Sequence, residues 1–174
     1  NPYQIRRAAN GKLFAAANFG LLWTSVDTGR TWLREYSLPQ GKNYSSFATW
    51  ALDISPSGKL LSMGQNGVVA DSSSAAPTWQ SNYNMQAVGA YTKIDFADCK
   101  NGMATGGASI AQTCDGGKNW RETVRTDFVA LNISINSFAY INNNPARAYF
   151  VTTTGTVYKS DNMTATTPTL DPVF

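Results

Sequence analysis

The chain has 174 residues, 14% charged and 12% aromatic, with a formal net charge of +3 and no histidine. Few charges among many aromatics exclude an intrinsically disordered chain, and so small a net charge lacks the dense basic stripe of nucleic-acid-binding proteins. Without histidine there is no Ser-His-Asp triad and the commonest metal ligand is missing, and no apolar run approaches the roughly 18 residues of a membrane span.

The sequence opens on Asn1-Pro2 rather than Met, which reads as a processed product, a removed secretory signal being the simple explanation. A secreted, cell-surface or periplasmic location is therefore expected. Strands are predicted over 4–8, 12–17, 21–25 and 32–36, with Asn10-Gly11 turning the first pair. Between the third and fourth lies Ser25-Val26-Asp27-Thr28-Gly29-Arg30-Thr31-Trp32. A second group follows over 51–55, 59–64, 68–71 and 78–82, with turns at Pro56-Ser57-Gly58 and Asn66-Gly67. A third spans 93–98, 102–106, 109–113 and 120–124, and carries Thr113-Cys114-Asp115-Gly116-Gly117-Lys118-Asn119-Trp120. A fourth spans 137–141, 147–152, 156–160 and a last strand near 169–173. No segment of useful length shows helical periodicity.

The two long turns share the pattern Ser/Thr-x-Asp-x-Gly-x-x-Trp, and the register extends beyond them. Gly20, Gly67, Ala108 and Gly155 each stand 12 residues before Trp32, Trp79, Trp120 and Thr167, and are themselves 47, 41 and 47 residues apart. Ser72 and Ser74 hold the first two box positions in the second unit, Ser160 and Asn162 in the fourth. A period near 45 residues with four short strands per unit predicts an all-β chain: a β-propeller of four-stranded antiparallel blades, approximately 1–45, 46–89, 90–134 and 135–174.

Each box position has a structural task. Asp27 and Asp115 are expected to accept hydrogen bonds from their own turn's backbone amides, and Ser25 and Thr113 to bond locally through their hydroxyls. Gly29 and Gly117 supply a backbone conformation that a Cβ penalises. Trp32 and Trp120 return into the fourth strand and bury their rings at the seam between blades. Ser74 and Asn162 can imitate part of the Asp bonding in the degenerate boxes.

These boxes resemble the Asp-box (BNR) repeat of sialidases and sortilin-type receptors. The third unit goes further. Ile94-Asp95-Phe96-Ala97-Asp98, Asn101-Gly102-Met103-Ala104-Thr105-Gly106-Gly107 and the box through Trp120 resemble the repeat of the photosystem II stability and assembly factor family. The resemblance covers all four units in outline, and units one and three with specificity. It implies closed rings of seven blades for assembly-factor relatives and six for sialidases, so that this chain is part of a larger ring, a small ring, or one half of a ring made by two chains.

A sialidase resemblance would also imply an arginine triad, a Tyr nucleophile with a Glu partner and a Phe/Tyr-Arg-Ile-Pro segment. Gln4-Ile5-Arg6-Arg7 lacks the Pro, and the only glutamates, Glu35 and Glu122, lie beside box tryptophans on outer strands. Asp53, Asp95 and Asp98, placed on inner strands, are the best remaining carboxylates for a retaining pair about 5 Å apart. No catalytic residue, metal site or cofactor is assigned. Arg6-Arg7 and the pair Arg121 and Arg125 read as solvated surface.

Cys99 and Cys114 fall in turns at the same end of blade three. A disulfide there is favoured over two free thiols, and would stabilise by about 3 kcal/mol in the chain-entropy picture. Sequons at Asn43, Asn132 and Asn162 lie in or near loops. Phe19, Tyr44, Phe47, Tyr83 and Tyr91 are the loop and linker aromatics available for stacking on a sugar or peptide, packing between blades being the simpler role. The function expected is that of a non-catalytic binding and assembly scaffold whose partner is another protein or a copy of itself. The alternative is a carbohydrate-binding or glycosidase-derived module.

Overall fold

The computed structural model describes residues 2–17, 21–37, 49–64, 69–73, 80–82 and 91–173. Among the described residues sixteen strands form four antiparallel sheets, each a meander in chain order. The first holds β1 (Pro2–Arg7), β2 (Leu13–Ala17), β3 (Leu21–Ser25) and β4 (Leu33–Ser37). The second holds β5 (Thr49–Ile54), β6 (Lys59–Gly64), β7 (Val69–Ser73) and β8 (Gln80–Asn82). The third holds β9 (Lys93–Phe96), β10 (Gly102–Gly106), β11 (Ser109–Thr113) and β12 (Arg121–Val124). The fourth holds β13 (Ile135–Ile141), β14 (Asn144–Thr152), β15 (Val157–Ser160) and β16 (Asp171–Pro172).

Four sheets share three cores, one at each seam. The innermost strands run side by side: β1 packs along β5, β5 along β9 and β9 along β13. Phe14, Ala16 and Leu22 of the first blade meet Leu52 and Leu60 of the second. Leu61 and Met63 of the second meet Ile94, Ala104 and Trp120 of the third. Met103 and Ile110 of the third meet Phe138, Ala148 and Phe150 of the fourth. A strand with a blade on either side must be apolar or small on both faces. This explains why β6 and β10, as Lys-Leu-Leu-Ser-Met-Gly and Gly-Met-Ala-Thr-Gly, abandon alternation and are buried almost throughout.

Hairpin chemistry sets the strand ends. Gly11, Gly58 and Gly155 adopt positive φ in turns closed by Gly11 N to Ala8 O, Gly58 N to Ser55 O and Gly155 N to Thr152 O. A single turn of helix, α1 (Thr126–Ala130), links the third and fourth blades. Five residues are too few to leave a helical period in sequence. The turn is held instead by Phe128, buried in the third core, and by Arg125, which lies 4.9 Å above the Phe128 ring and grips Asp127 through two nitrogens at 2.9 and 2.6 Å.

Candidate functional site

The residues singled out by the repeat form closed hydrogen-bonding units. In the first box Ser25 Oγ donates to Asp27 Oδ1 at 2.8 Å and accepts from Gly29 N at 2.9 Å. Asp27 Oδ1 also accepts from Thr31 N at 2.9 Å, and Oδ2 from Thr31 Oγ1 at 2.6 Å. The Trp32 indole N–H donates to Gly29 O at 3.1 Å. Blade three repeats the pattern. Thr113 Oγ1 donates to Asp115 Oδ1 at 2.8 Å and accepts from Gly117 N at 2.9 Å. Asp115 gathers the Lys118 and Asn119 amides, both at 3.0 Å, and the Asn119 side chain at 2.7 Å. Trp120 Nε1 donates to Gly117 O at 3.1 Å.

This bonding fixes the charge of both carboxylates. The Thr31 hydroxyl and amide, then the Ser25 hydroxyl, hold Asp27 down at about 2. Partial burial pushes Asp115 up, and the Asn119, Thr113 and Lys118 donors together outweigh it, leaving this carboxyl below its ordinary value. Both stay ionised at neutral pH with their oxygens occupied by their own turn.

The fourth box keeps the lock and changes its register. Ser160 Oγ donates to Asn162 Oδ1 at 3.0 Å, and Asn162 Oδ1 accepts from Thr169 N at 2.9 Å and Thr169 Oγ1 at 3.1 Å. Thr169 thus does what Thr31 and Asn119 do elsewhere, but seven residues after the acceptor rather than four. The residue following it, Leu170, is buried in the third core where Trp120 is buried in the second. The expectation that Thr167 matches the box tryptophans is therefore corrected: three inserted residues move that place to Leu170. Ser72 is the penultimate residue of β7 and pairs with Leu60. Ser74 and Trp79 lie outside the described residues.

Of the three carboxylates considered for catalysis, Asp98 is not on an inner strand. β9 ends at Phe96, and Asp98 caps the following turn by accepting from Lys100 N at 2.7 Å, Asn101 N at 2.8 Å and Asn101 Nδ2 at 2.7 Å. Asp53 and Asp95 do share an inner position, paired with Leu61 and Met103 on their second strands. Asp53 is buried and accepts from Arg6 Nε at 2.8 Å across the first seam, so Arg6 is a bridging residue and not the solvated one expected. Burial pushes Asp53 up, Arg6 opposes it, and nearby Asp95 adds to the rise. Asp95 accepts from the Phe96 amide at 3.0 Å. Arg125 and Arg121 are likewise engaged: Arg125 grips Asp127, and Arg121 donates to Gln112 Oε1 at 3.0 Å on the neighbouring strand and to Ala165 O at 2.6 Å across the third seam, where Gln112 also donates to Met163 O.

Two residues, Gln4 and Tyr91, tie the seams through bonds that the box motif does not encode. Gln4 Oε1 accepts from Leu52 N at 2.7 Å. Tyr91 is fully buried, donates through its hydroxyl to Glu122 Oε1 at 2.7 Å and bonds Gly64 O through its amide. Tyr91 is thus a seam residue and is not available for stacking on a ligand. Phe19, Tyr44, Phe47 and Tyr83 lie outside the described residues, as does the side chain of Glu35.

The disulfide expected between Cys99 and Cys114 is not formed; both thiols are free and exposed. Their turns do meet, but through backbone, with Gly116 N donating to Lys100 O at 2.9 Å, while the two side chains face solvent. Asn132 is exposed at positive φ after α1, Asn162 is occupied in its box, and Asn43 lies outside the described residues. Among the described residues no group of three or more Cys, Asp or Glu side chains is arranged to hold a metal ion, and no helix is long and apolar enough to cross a membrane.

This architecture is that of β-propellers. A solved YCF48 bound to D1 peptide matches with a TM-score of 0.67 at 16% identity, over 90% of this chain and 49% of that one. YCF48 from Cyanidioschyzon merolae matches with a TM-score of 0.63 at 16% identity, over 90% and 49%. An ancestral GH74 enzyme matches with a TM-score of 0.70 at 12% identity, over 98% of this chain and 25% of that one. The chain therefore spans about half the length of the YCF48 structures. No family model and no curated protein matches it.

Proposed function

We propose that this chain is a non-catalytic β-propeller module that binds protein and serves in assembly, acting outside the cytoplasm. The observation that supports this reading is the commitment of most of the described carboxylates to the fold. Asp27, Asp98 and Asp115 lock turns, Asp53 is held by Arg6, Glu122 by Tyr91, and Asp161 by Arg147 and Lys159. A glycosidase needs one carboxyl free to carry a proton and a second facing the reacting carbon. What such a molecule offers a partner is shape and surface. The likeness to a YCF48 solved with a peptide, and the unit-three motif resembling the photosystem II assembly-factor repeat, support an extended peptide as the partner class.

A peptide-array screen followed by fluorescence-anisotropy titration tests this reading, with saturable binding expected for a subset of sequences. A chain that binds no peptide yet hydrolyses a glycoside, and loses that hydrolysis in Asp53→Asn and Asp95→Asn, overturns it. The second reading, a glycosidase-derived or carbohydrate-binding module, draws on the likeness to the GH74 enzyme. It expects signal on a glycan array where the first expects none.

A further inference from the structure

The hairpin registers put one residue of each innermost strand at the same place. Leu13, Leu60, Gly102 and Ala148 pair with the first residue of the box, Ser25, Ser72, Thr113 and Ser160. One residue further along the second strand, Phe14, Leu61, Met103 and Tyr149 pair inward with Arg6, Asp53, Asp95 and Ala139. Neighbouring blades thus set Arg6 beside Asp53, Asp53 beside Asp95, and Asp95 beside Ala139.

The first of these pairs is complementary: Arg6 Nε donates to Asp53 Oδ1 at 2.8 Å across the first seam. Asp95 meets a second carboxylate instead, since Asp53 lies close enough for the two charges to interact, and on the other side it meets the methyl group of Ala139. Its side chain accepts one hydrogen bond among the described residues, from the Phe96 amide to Oδ1, so Oδ2 has none. Lys93, two residues earlier, makes no ion pair with it; the Lys93 Nζ lies 5.9 Å from the centroid of the Phe138 ring.

A second group on this face lacks a partner. Thr105 pairs with Lys93 as Met103 pairs with Asp95, so the Thr105 side chain lies on the side of the third sheet that carries Asp95. Thr105 is fully buried and its hydroxyl has no hydrogen-bond partner, a state that costs stability unless a guest satisfies it. Tyr140 of the fourth blade packs against the same core, its hydroxyl within reach of the charges of Asp95 and Asp98. Asp95 therefore lacks the guanidinium that Asp53 has, beside a buried hydroxyl that no protein group satisfies.

We propose that the inner end of the third seam takes the guanidinium of an arginine in a partner peptide, held by Asp95 and Thr105 as Arg6 is held by Asp53. Arginine suits this place better than lysine, because its planar fork gives one nitrogen to a carboxylate and another to a hydroxyl, whereas an ammonium is compact and strongly hydrated. Lys93, long, flexible and half-buried, moves aside as the guest enters, and the exposed Ser137 and Ala139 are small, which leaves room on the side of the fourth blade. This inference rests on the peptide-binding reading and names the side chain that the peptide carries.

The probe is N-acetyl-arginine amide, with its citrulline analogue as a neutral control of the same shape, titrated into the isotope-labelled 174-residue chain and followed by amide chemical shifts. Saturable shifts are expected at Phe96 and Thr105 with the arginine compound and none with the citrulline compound. Asp95→Asn should weaken this binding at least about tenfold, and Asp161→Asn, at an exposed carboxylate of the fourth box, should leave it unchanged. Thr105→Val keeps the shape of the side chain and removes the unmet hydroxyl, so it should raise the melting temperature and yet weaken binding about threefold; a merely structural role would move the melt alone. Absence of shifts at Phe96 and Thr105, equal shifts with citrulline, or equal weakening by Asp161→Asn overturns the inference. If array peptides bind and Asp95→Asn leaves their affinity intact, the arginine site falls and the peptide-binding reading stands. If the arginine compound binds at Asp95 while no peptide binds, the site stands and that reading falls.

Discussion

Gly117 presses directly on Leu61 across the second seam: a β-carbon at Gly117 would lie 2.3 Å from Leu61 Cδ2. The box glycine thus has two reasons to lack a side chain, its φ of +87° and the neighbouring blade. Gly107, with φ +56° and open space around its own β-carbon position, has only the first. Gly117→Ala is expected to cost about 2–4 kcal/mol, from left-handed strain plus overpacking, and Gly107→Ala about 1 kcal/mol. Urea unfolding of the two variants checks this. Equal losses would show that the seam tolerates the extra methyl and that backbone conformation alone selects the glycine.

The Tyr91 hydroxyl reaches Glu122 from inside the second core. Tyr91→Phe keeps the ring's packing and removes one charge-assisted hydrogen bond, for an expected loss of about 1–2 kcal/mol. Glu122→Gln leaves an acceptor in place and should cost less. A double variant no worse than Tyr91→Phe alone, measured by the same unfolding curves, would confirm that the two groups act as one pair. Full additivity would mean that they contribute independently.

These two contacts also mark where sequence reading ended. The box is local: its donors and acceptors lie within a few residues of each other, so Ser25, Asp27, Gly29 and Trp32 announce their bonding by spacing alone. Blade four shows how that fails. Asn162 kept the acceptor, but three inserted residues broke the fixed interval to the aromatic position, and Leu170 there carries no signature. Asp98 locks its turn as a box Asp does, with Lys100, Asn101 and its own short interval, and that spacing would have identified it as a cap. The seam residues Gln4, Arg6 and Tyr91 bond groups 31 to 48 positions away, and nothing in their neighbourhoods encodes those partners.

The locked carboxylates give stability a defined pH dependence. Asp27, at about 2 in the fold against an ordinary 3.8, contributes stability that is fully present above the unfolded value and is lost as pH falls from about 4 towards 2. Asp98, Asp115, Asp127 and Asp161 are shifted the same way and add to it. Asp53, raised by burial, works in the opposite direction over the range just above its unfolded value. At the alkaline end, burial raises Tyr91 and Tyr140, so stability falls once pH exceeds about 10 and the unfolded tyrosines ionise. Melting temperatures from pH 2 to 11 should trace a plateau with both shoulders. An acid limb as steep in Asp27→Asn as in the native chain would place the acid sensitivity elsewhere.

Asn162 doing the work of an Asp makes a direct comparison with Asp115. A neutral amide offers one acceptor oxygen, which in blade four suffices for Ser160 and Thr169. Asp115 uses both oxygens, the second for Asn119 Nδ2. Asp115→Asn should therefore preserve the backbone lock, lose the bond to the Asn119 side chain, and cost less than about 1 kcal/mol. Asp115→Ala leaves the Lys118 and Asn119 amides to solvent and the Thr113 hydroxyl without its acceptor, for about 1–2 kcal/mol. Hydrogen exchange at Lys118 and Asn119 separates the two causes, with protection retained in the Asn variant and lost in the Ala variant. If both variants lose protection equally, the negative charge holds the turn, and Asn162 succeeds only because Leu170 and Met163 anchor its loop in the core.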